Sequence, residues 1–185
     1  MEVNMTNIAI TGHRPDAFLV SHYSVEEIQR IANDTSIIFK REHGENLTFL
    51  LGGALGTDIW MGQACMENNI KYHLYLPFQF ELFTKYWDDD QKALLSKQMK
   101  YAKGIDIINP SGYNVEDYQL RNTKMVDDSN FTVAFWVGKK RGGTYNCIRY
   151  ALENSKFVFN ALDNLKPIFK NTLYKGWTPP TIGDK

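Results

Sequence analysis

Two short stretches carry most of the chemistry open to this sequence. GGALGTD (residues 52–58) and GKKRGGT (residues 138–144) each set small residues between an apolar run and an amphipathic segment. A glycine-rich turn from strand to helix brings backbone N–H groups, and the positive end of a helix dipole, against an anion such as a phosphate. In the second stretch Lys139, Lys140 and Arg141 precede Gly142, Gly143 and Thr144. Cations and backbone dipoles converge there, which makes it the better phosphate site of the two. In the first stretch Gly52, Gly53, Ala54 and Gly56 free the backbone, Thr57 opens the helix and Asp58 falls in its first turn. A carboxylate so placed repels phosphate but suits ribose hydroxyls, the task of the acidic residue in dinucleotide sites. Alternatively it only stabilises its own helix. Neither stretch is a G-x-G-x-x-G fingerprint or a P-loop.

A third box, TGHRP, places Thr11, Gly12, His13 and Arg14 at the exit of the first apolar run. Gly12 allows close backbone approach, Arg14 offers a fork of donors suited to phosphate, and His13 both donates and accepts near neutral pH. Arg121 stands four residues after Asp117 in a helical pattern, which by itself implies only a surface pair. Asn146, just beyond the second glycine turn, is a hydrogen-bonding group for ribose or phosphate. The four histidines show no metal-ligand spacing, so no metal is expected, and no cofactor either. The aromatic run FQFELFTKYW spaces Phe80, Phe83 and Trp87 as a helix face for core packing or a dimer contact, with base stacking by Phe78, Tyr86 or Trp87 as the lesser use.

Apolar runs alternate with amphipathic segments along the chain. That pattern predicts an α/β fold, a three-layer sandwich with a mostly parallel central sheet and helices on both faces. Strands are expected at residues 7–13, 47–51, 71–77, 105–109, 131–137 and 156–162, with a capping box from Ser24 to Glu27 opening the longest helix. Residues 1–164 read as one domain and 165–185 as a tail. Such sheets bind ligands at the carboxyl ends of their strands, where the three glycine-bearing turns fall. The 185 residues hold 21 basic and 21 acidic side chains, and this balance argues against a general nucleic-acid or membrane-surface binder. Cys65 and Cys147 form no C-x-x-C pair, and no signal or membrane-spanning pattern is evident, so a cytoplasmic protein is expected.

TGHRP, GGALGTD, RNTKMVDDSN and GGTYNCIRYA, in this order and each beside a strand, together resemble the YpsA-like branch of the SLOG superfamily. That superfamily joins the DNA-processing Smf/DprA proteins with the LOG phosphoribohydrolases, and the resemblance runs from about residue 7 to 161. It implies a Rossmann-like sheet whose two glycine turns jointly hold a nucleotide-derived ligand. LOG enzymes cleave the N-glycosidic bond of nucleoside monophosphates with an Arg-Lys pair and a P-G-G-x-G-T-x-x-E turn. Arg121 matches the arginine, but Asn122 follows it, and Cys147 stands where the glutamate would. Asn146 takes no proton, so a hydrolase would need Asp58, Asp127 or Asp128 turned inward.

The expectation is therefore a binding protein for a phosphorylated nucleotide derivative, ADP-ribose-like or a cyclic nucleotide signal, that senses or sequesters it without turnover. The rival is a LOG-like hydrolase working through Arg121 and a displaced aspartate such as Asp58. The third reading is a DNA-processing module. A homo-oligomer is expected, with the aromatic segment after Pro77 as its candidate face.

Overall fold

The strand runs are set by apolar content. In LTFLL every residue is buried, as a strand covered on both faces requires. In the computed structural model, which describes residues 5–173, the chain builds six parallel strands. They are β1 (Thr6–Gly12), β2 (Leu47–Leu51), β3 (Lys71–Phe78), β4 (Gly104–Asn109), β5 (Phe131–Phe135) and β6 (Val158–Asn160). A two-residue antiparallel strand, β7 (Lys166–Pro167), closes one edge. The sheet order is β4-β3-β2-β1-β5-β6-β7. The chain works outward from β1 to β4, then returns to lay β5 on the other side of β1. Strand order thus reverses between β1 and β5, and a crevice opens beyond their carboxyl ends.

Helices cover both faces. On one side lie α2 (Val25–His43), α3 (Thr57–Glu67) and, following the short α4 (Phe80–Phe83), α5 (Asp89–Tyr101). Ile8, Ile10, Phe49 and Leu74 meet Ile28, Ile59, Met61 and Leu95 there in the main core. On the other side α6 (Asp117–Asp127) and α7 (Gly143–Glu153) bury Met125, Val126, Cys147 and Ile148. The longest helix starts as its sequence dictates. The Ser24 hydroxyl accepts from the Glu27 N–H at 3.1 Å, and the Glu27 carboxylate accepts from the Ser24 N–H at 2.8 Å.

Two features depart from the sequence-based reading, and a third follows one of the two uses it offered. A short helix, α1 (Pro15–Val20), follows β1 directly, because Pro15 at its first position has φ already set for a helix. β5 ends at Phe135 rather than 137, and the Val137 N–H turns to the His13 ring, at 3.3 Å from Nε2. The aromatic stretch after Pro77 packs largely inward: Phe78 and Phe83 are buried and Phe80 and Trp87 lie against the core, while Tyr86 is 89% exposed.

The segment read as a tail contributes structure in its described part. β7 pairs with β6, and α8 (Lys170–Leu173) follows it, burying Ile168 and Leu173 against Trp136 and Val158; residues 174–185 lie outside the described residues. Removing the Ile168 side chain leaves a cavity in this second core. Ile168→Ala is expected to cost about 3 kcal/mol in urea unfolding monitored by circular dichroism, whereas truncating a free tail would change nothing.

Candidate functional site

One cavity of about 430 Å³ opens at the carboxyl edge of the sheet, at the reversal between β1 and β5. The turn after β1, the turn between β2 and α3, the turn between β5 and α7, and one face of α6 enclose it. Gly52 and Gly143, from the two glycine turns, both line it.

Its floor is organised by Arg121, which is 6% exposed although it carries a charge. Its Nη1 donates to the Gly52 carbonyl, and a longer contact of 3.5 Å reaches the Tyr75 carbonyl. The guanidinium therefore ties α6 to the end of β2 and to the middle of β3. Nε makes no hydrogen bond among the described residues. The fit is close: a Cβ on Gly52 would overlap Nη1 and lie 2.6 Å from Cζ, so any larger residue there requires the guanidinium to shift. Asp58 is half-buried in the same wall, and its Oδ2 accepts from the Ala54 N–H at 3.1 Å. Burial pushes its carboxyl above the ordinary range, opposed by the Arg121 charge and by the Ala54 and Gly52 N–H groups. Burial acts on the guanidinium in the opposite sense, with Asp58 restoring it; arginine keeps its proton in either case.

The two glycine turns use their backbones differently. At α3 the Thr57 N–H and hydroxyl both donate to the His13 carbonyl, at 3.3 and 3.1 Å. Gly12 permits this, since a Cβ there would sit 2.2 Å from the Thr57 Oγ1. The first turn thus spends its donors inside the protein. At α7 no side chain caps the helix, and its first bond runs from the Asn146 N–H to the Gly142 carbonyl. The N–H groups of Gly143, Thr144 and Tyr145 have no partner among the described residues. The exposed side chains of Arg14, Lys139 and Arg141 stand around that bare helix end, each lining the cavity.

His13 is 8% exposed, packed edge-on against Phe18 at 5.6 Å between ring centroids. Its Nε2 accepts from Val137, so Nδ1 carries the proton. Burial first, then the neighbouring Lys139 charge, lower its pKa to about 4. The ring is therefore neutral at pH 7.

Of the residues singled out from sequence, Thr11, Gly12, His13, Arg14, Gly52, Ala54, Asp58, Arg121, Arg141, Gly142, Gly143 and Thr144 meet at this cavity. Five do not line it. Gly53 turns toward Leu76 and Leu95 in the core, and Gly56 faces the His13 carbonyl. Thr57 is buried beneath β1. Lys140 projects outward, and Asn146 sits one turn into α7, away from the mouth. Asp127 and Asp128 are also elsewhere, bonded to the hydroxyls of Tyr150 and Tyr75 at 2.9 and 2.8 Å. Sequence reasoning missed Tyr118, Asn122 and Met125, which line the cavity beside Arg121. Positions 118, 121, 122 and 125 stand at i, i+3, i+4 and i+7, one helix face, and that period is the available signal.

Residues 8–161 match the YpsA model, described as the YspA SLOG family. The chain belongs to this family. Among relatives, it is 32% identical over 139 residues to the SPbeta prophage-derived protein YoqJ of Bacillus subtilis (strain 168), covering 65% of this chain and 77% of that one. It is 22% identical over 181 residues to a UPF0398 protein of Bacillus anthracis (strain A0248), covering 90% and 96%. Among solved structures it resembles DNA processing protein A (DprA) from Streptococcus pneumoniae, with TM-score 0.58, 14% identity and 85% of this chain covered. The DprA of Helicobacter pylori, described for its single-stranded DNA binding mode, gives TM-score 0.57, 15% identity and 84% coverage. The protein TM1055 gives TM-score 0.54, 16% identity, and 83% and 72% coverage of the two chains. This SLOG chain spans 50% of the streptococcal protein and 64% of the Helicobacter one. At such identities the likeness establishes a shared Rossmann-like fold.

Two outcomes follow from the geometry. Gly52→Ala displaces the guanidinium and is expected to lose about 1–3 kcal/mol in chemical denaturation. Gly143→Ala, whose Cβ would have nothing nearer than the Asn122 Nδ2 at 4.0 Å, is expected to change stability by less than about 0.5 kcal/mol. For His13 the folded pKa lies below the unfolded value near 6.5, so the unfolded chain binds the extra proton. Its contribution is complete above pH 6.5 and is lost as the pH falls toward about 4, by at most about 3 kcal/mol. Unfolding midpoints measured across that window should fall less steeply in His13→Asn than in the parent.

Proposed function

We propose that this SLOG protein binds a phosphorylated nucleotide derivative, ADP-ribose-like or a cyclic nucleotide, and senses or sequesters it without turnover. The observation that carries the reading is the uncapped α7 N-terminus, facing a shared cavity among Arg14, Lys139 and Arg141. Unpaired N–H groups, a helix dipole and three cations at one mouth are what a phosphate group requires. A cavity of about 430 Å³ suits a compound of nucleotide size.

Sequestration without turnover is supported by Cys147 at the position where LOG-type enzymes carry a glutamate. Cys147 is fully buried, and burial pushes its thiol up to about 11. It offers neither a base nor a nucleophile at neutral pH. One observation favours the hydrolase instead: the Asp58 carboxyl lines the cavity with its pKa raised by burial, the condition of a proton-transferring acid. A homo-oligomer remains part of the proposal, and single-stranded DNA is a separate ligand suggested by the likeness to the Helicobacter DprA.

Titration calorimetry against ADP-ribose, ADP, AMP, cyclic nucleotides and a short oligonucleotide tests the reading, with chromatography of each mixture after incubation. Micromolar binding of a nucleotide recovered intact is expected, weakened at least tenfold in Arg141→Ala. Steady release of free base that disappears in Asp58→Asn would establish the hydrolase. Tight oligonucleotide binding with no affinity for small nucleotides would replace both.

A further inference from the structure

Charge in the cavity is sorted by depth. The outer zone holds Arg14, Lys139 and Arg141, all exposed, with the bare end of α7 between them and Asp16 as the one carboxylate. The inner zone holds Arg121 and Asp58, opposite charges that offset each other, together with Asn122 and Thr144. Arg121 is nine-tenths buried, its Nε has no hydrogen-bond partner among the described residues, and the Asn122 amide and the Thr144 hydroxyl stand beside it in the cavity wall. The interior is therefore close to neutral and dense in hydrogen-bonding groups, while the mouth is cationic.

A phosphate placed inside would face the Asp58 carboxylate across a short path of low dielectric, whereas at the mouth three cations and the bare end of α7 outweigh the single carboxylate of Asp16. An uncharged ring with adjacent hydroxyls has the reverse preference. Each hydroxyl both donates and accepts, so a vicinal diol donates to Asp58 and accepts from Arg121 and Asn122 at once. Asp58 is already held for this role by the Ala54 N–H on Oδ2.

Resting on the reading above, we infer that the ligand enters sugar-first, with a ribose 2′,3′-diol on Asp58, Arg121 and Asn122 and its phosphates at the mouth. The site selects ribonucleotides and ADP-ribose over their deoxy counterparts, since a missing hydroxyl leaves buried polar groups without partners.

Calorimetry with ADP, 2′-deoxy-ADP and inorganic pyrophosphate tests this on the intact chain. ADP is expected to bind at least tenfold tighter than either of the others. Asp58→Asn, verified as folded by its melting curve, should bring ADP and 2′-deoxy-ADP to within about threefold of each other. Equal affinity of the parent protein for ADP and 2′-deoxy-ADP overturns the inference while leaving the phosphate-binding reading intact. Pyrophosphate binding as tightly as ADP does the same, because the outer zone would then suffice. Failure of every nucleotide and of ADP-ribose to bind removes the parent reading and this inference together.

Discussion

A buried guanidinium with too few partners is the constraint around which the site is built. Arg121 leaves water at a cost of several kcal/mol, and the backbone carbonyls of Gly52 and Tyr75 return only part of its solvation. The opposite charge of Asp58 supplies more, without contact as an ion pair among the described residues. Its Nε is left without a hydrogen-bond partner among the described residues, so the charge stays under-solvated at the cavity floor. Because α6 must bring the arginine to the end of β2 and the middle of β3, and because Gly52 must lack a side chain to receive it, the cavity wall and the sheet edge are fixed together. A core designed only for stability would place an apolar side chain at this point.

The second determinant is the contrast between the two glycine turns. Similar sequences lead into α3 and α7, yet the first folds its donors onto the His13 carbonyl and Asp58, and the second leaves them open. The difference comes from topology. β1 is the central strand, so the turn after it lies directly against α3, while α7 starts beside the crevice with no side-chain cap among the described residues. One turn thereby becomes a closed wall, and the other leaves its helix end open to the cavity. His13 links them, with its carbonyl on Thr57 and its ring on the Val137 N–H.

Much of this is legible in the sequence alone. The parallel sheet, the capping box at Ser24 and the three turns bearing chemistry follow from apolar runs, glycine positions and local donors, all of which act over a few residues. Gly53, Gly56 and Thr57 read as ligand contacts in the sequence because a glycine-rich stretch does not reveal which amides face inward; that depends on the distant His13 carbonyl. Tyr118, Asn122 and Met125 were passed over because one face of a polar helix is indistinguishable from a solvated surface until its neighbours are known. The packing of residues 166–173 was likewise hidden, since a two-residue strand beside a proline has no period to detect.

Two sequence-distant turns meet at one crevice between β1 and β5, and the proposed ligand must touch both. Titrating ADP-ribose into isotope-labelled protein and following backbone amide resonances examines this at residue level. Gly143, Thr144, Gly52 and Ala54 should shift along one common saturation curve, with the β4 edge and the surroundings of Phe157 unmoved. Shifts confined to residues outside the β1–β5 crevice, with the amides of Gly143 and Thr144 unchanged at saturation, would contradict it.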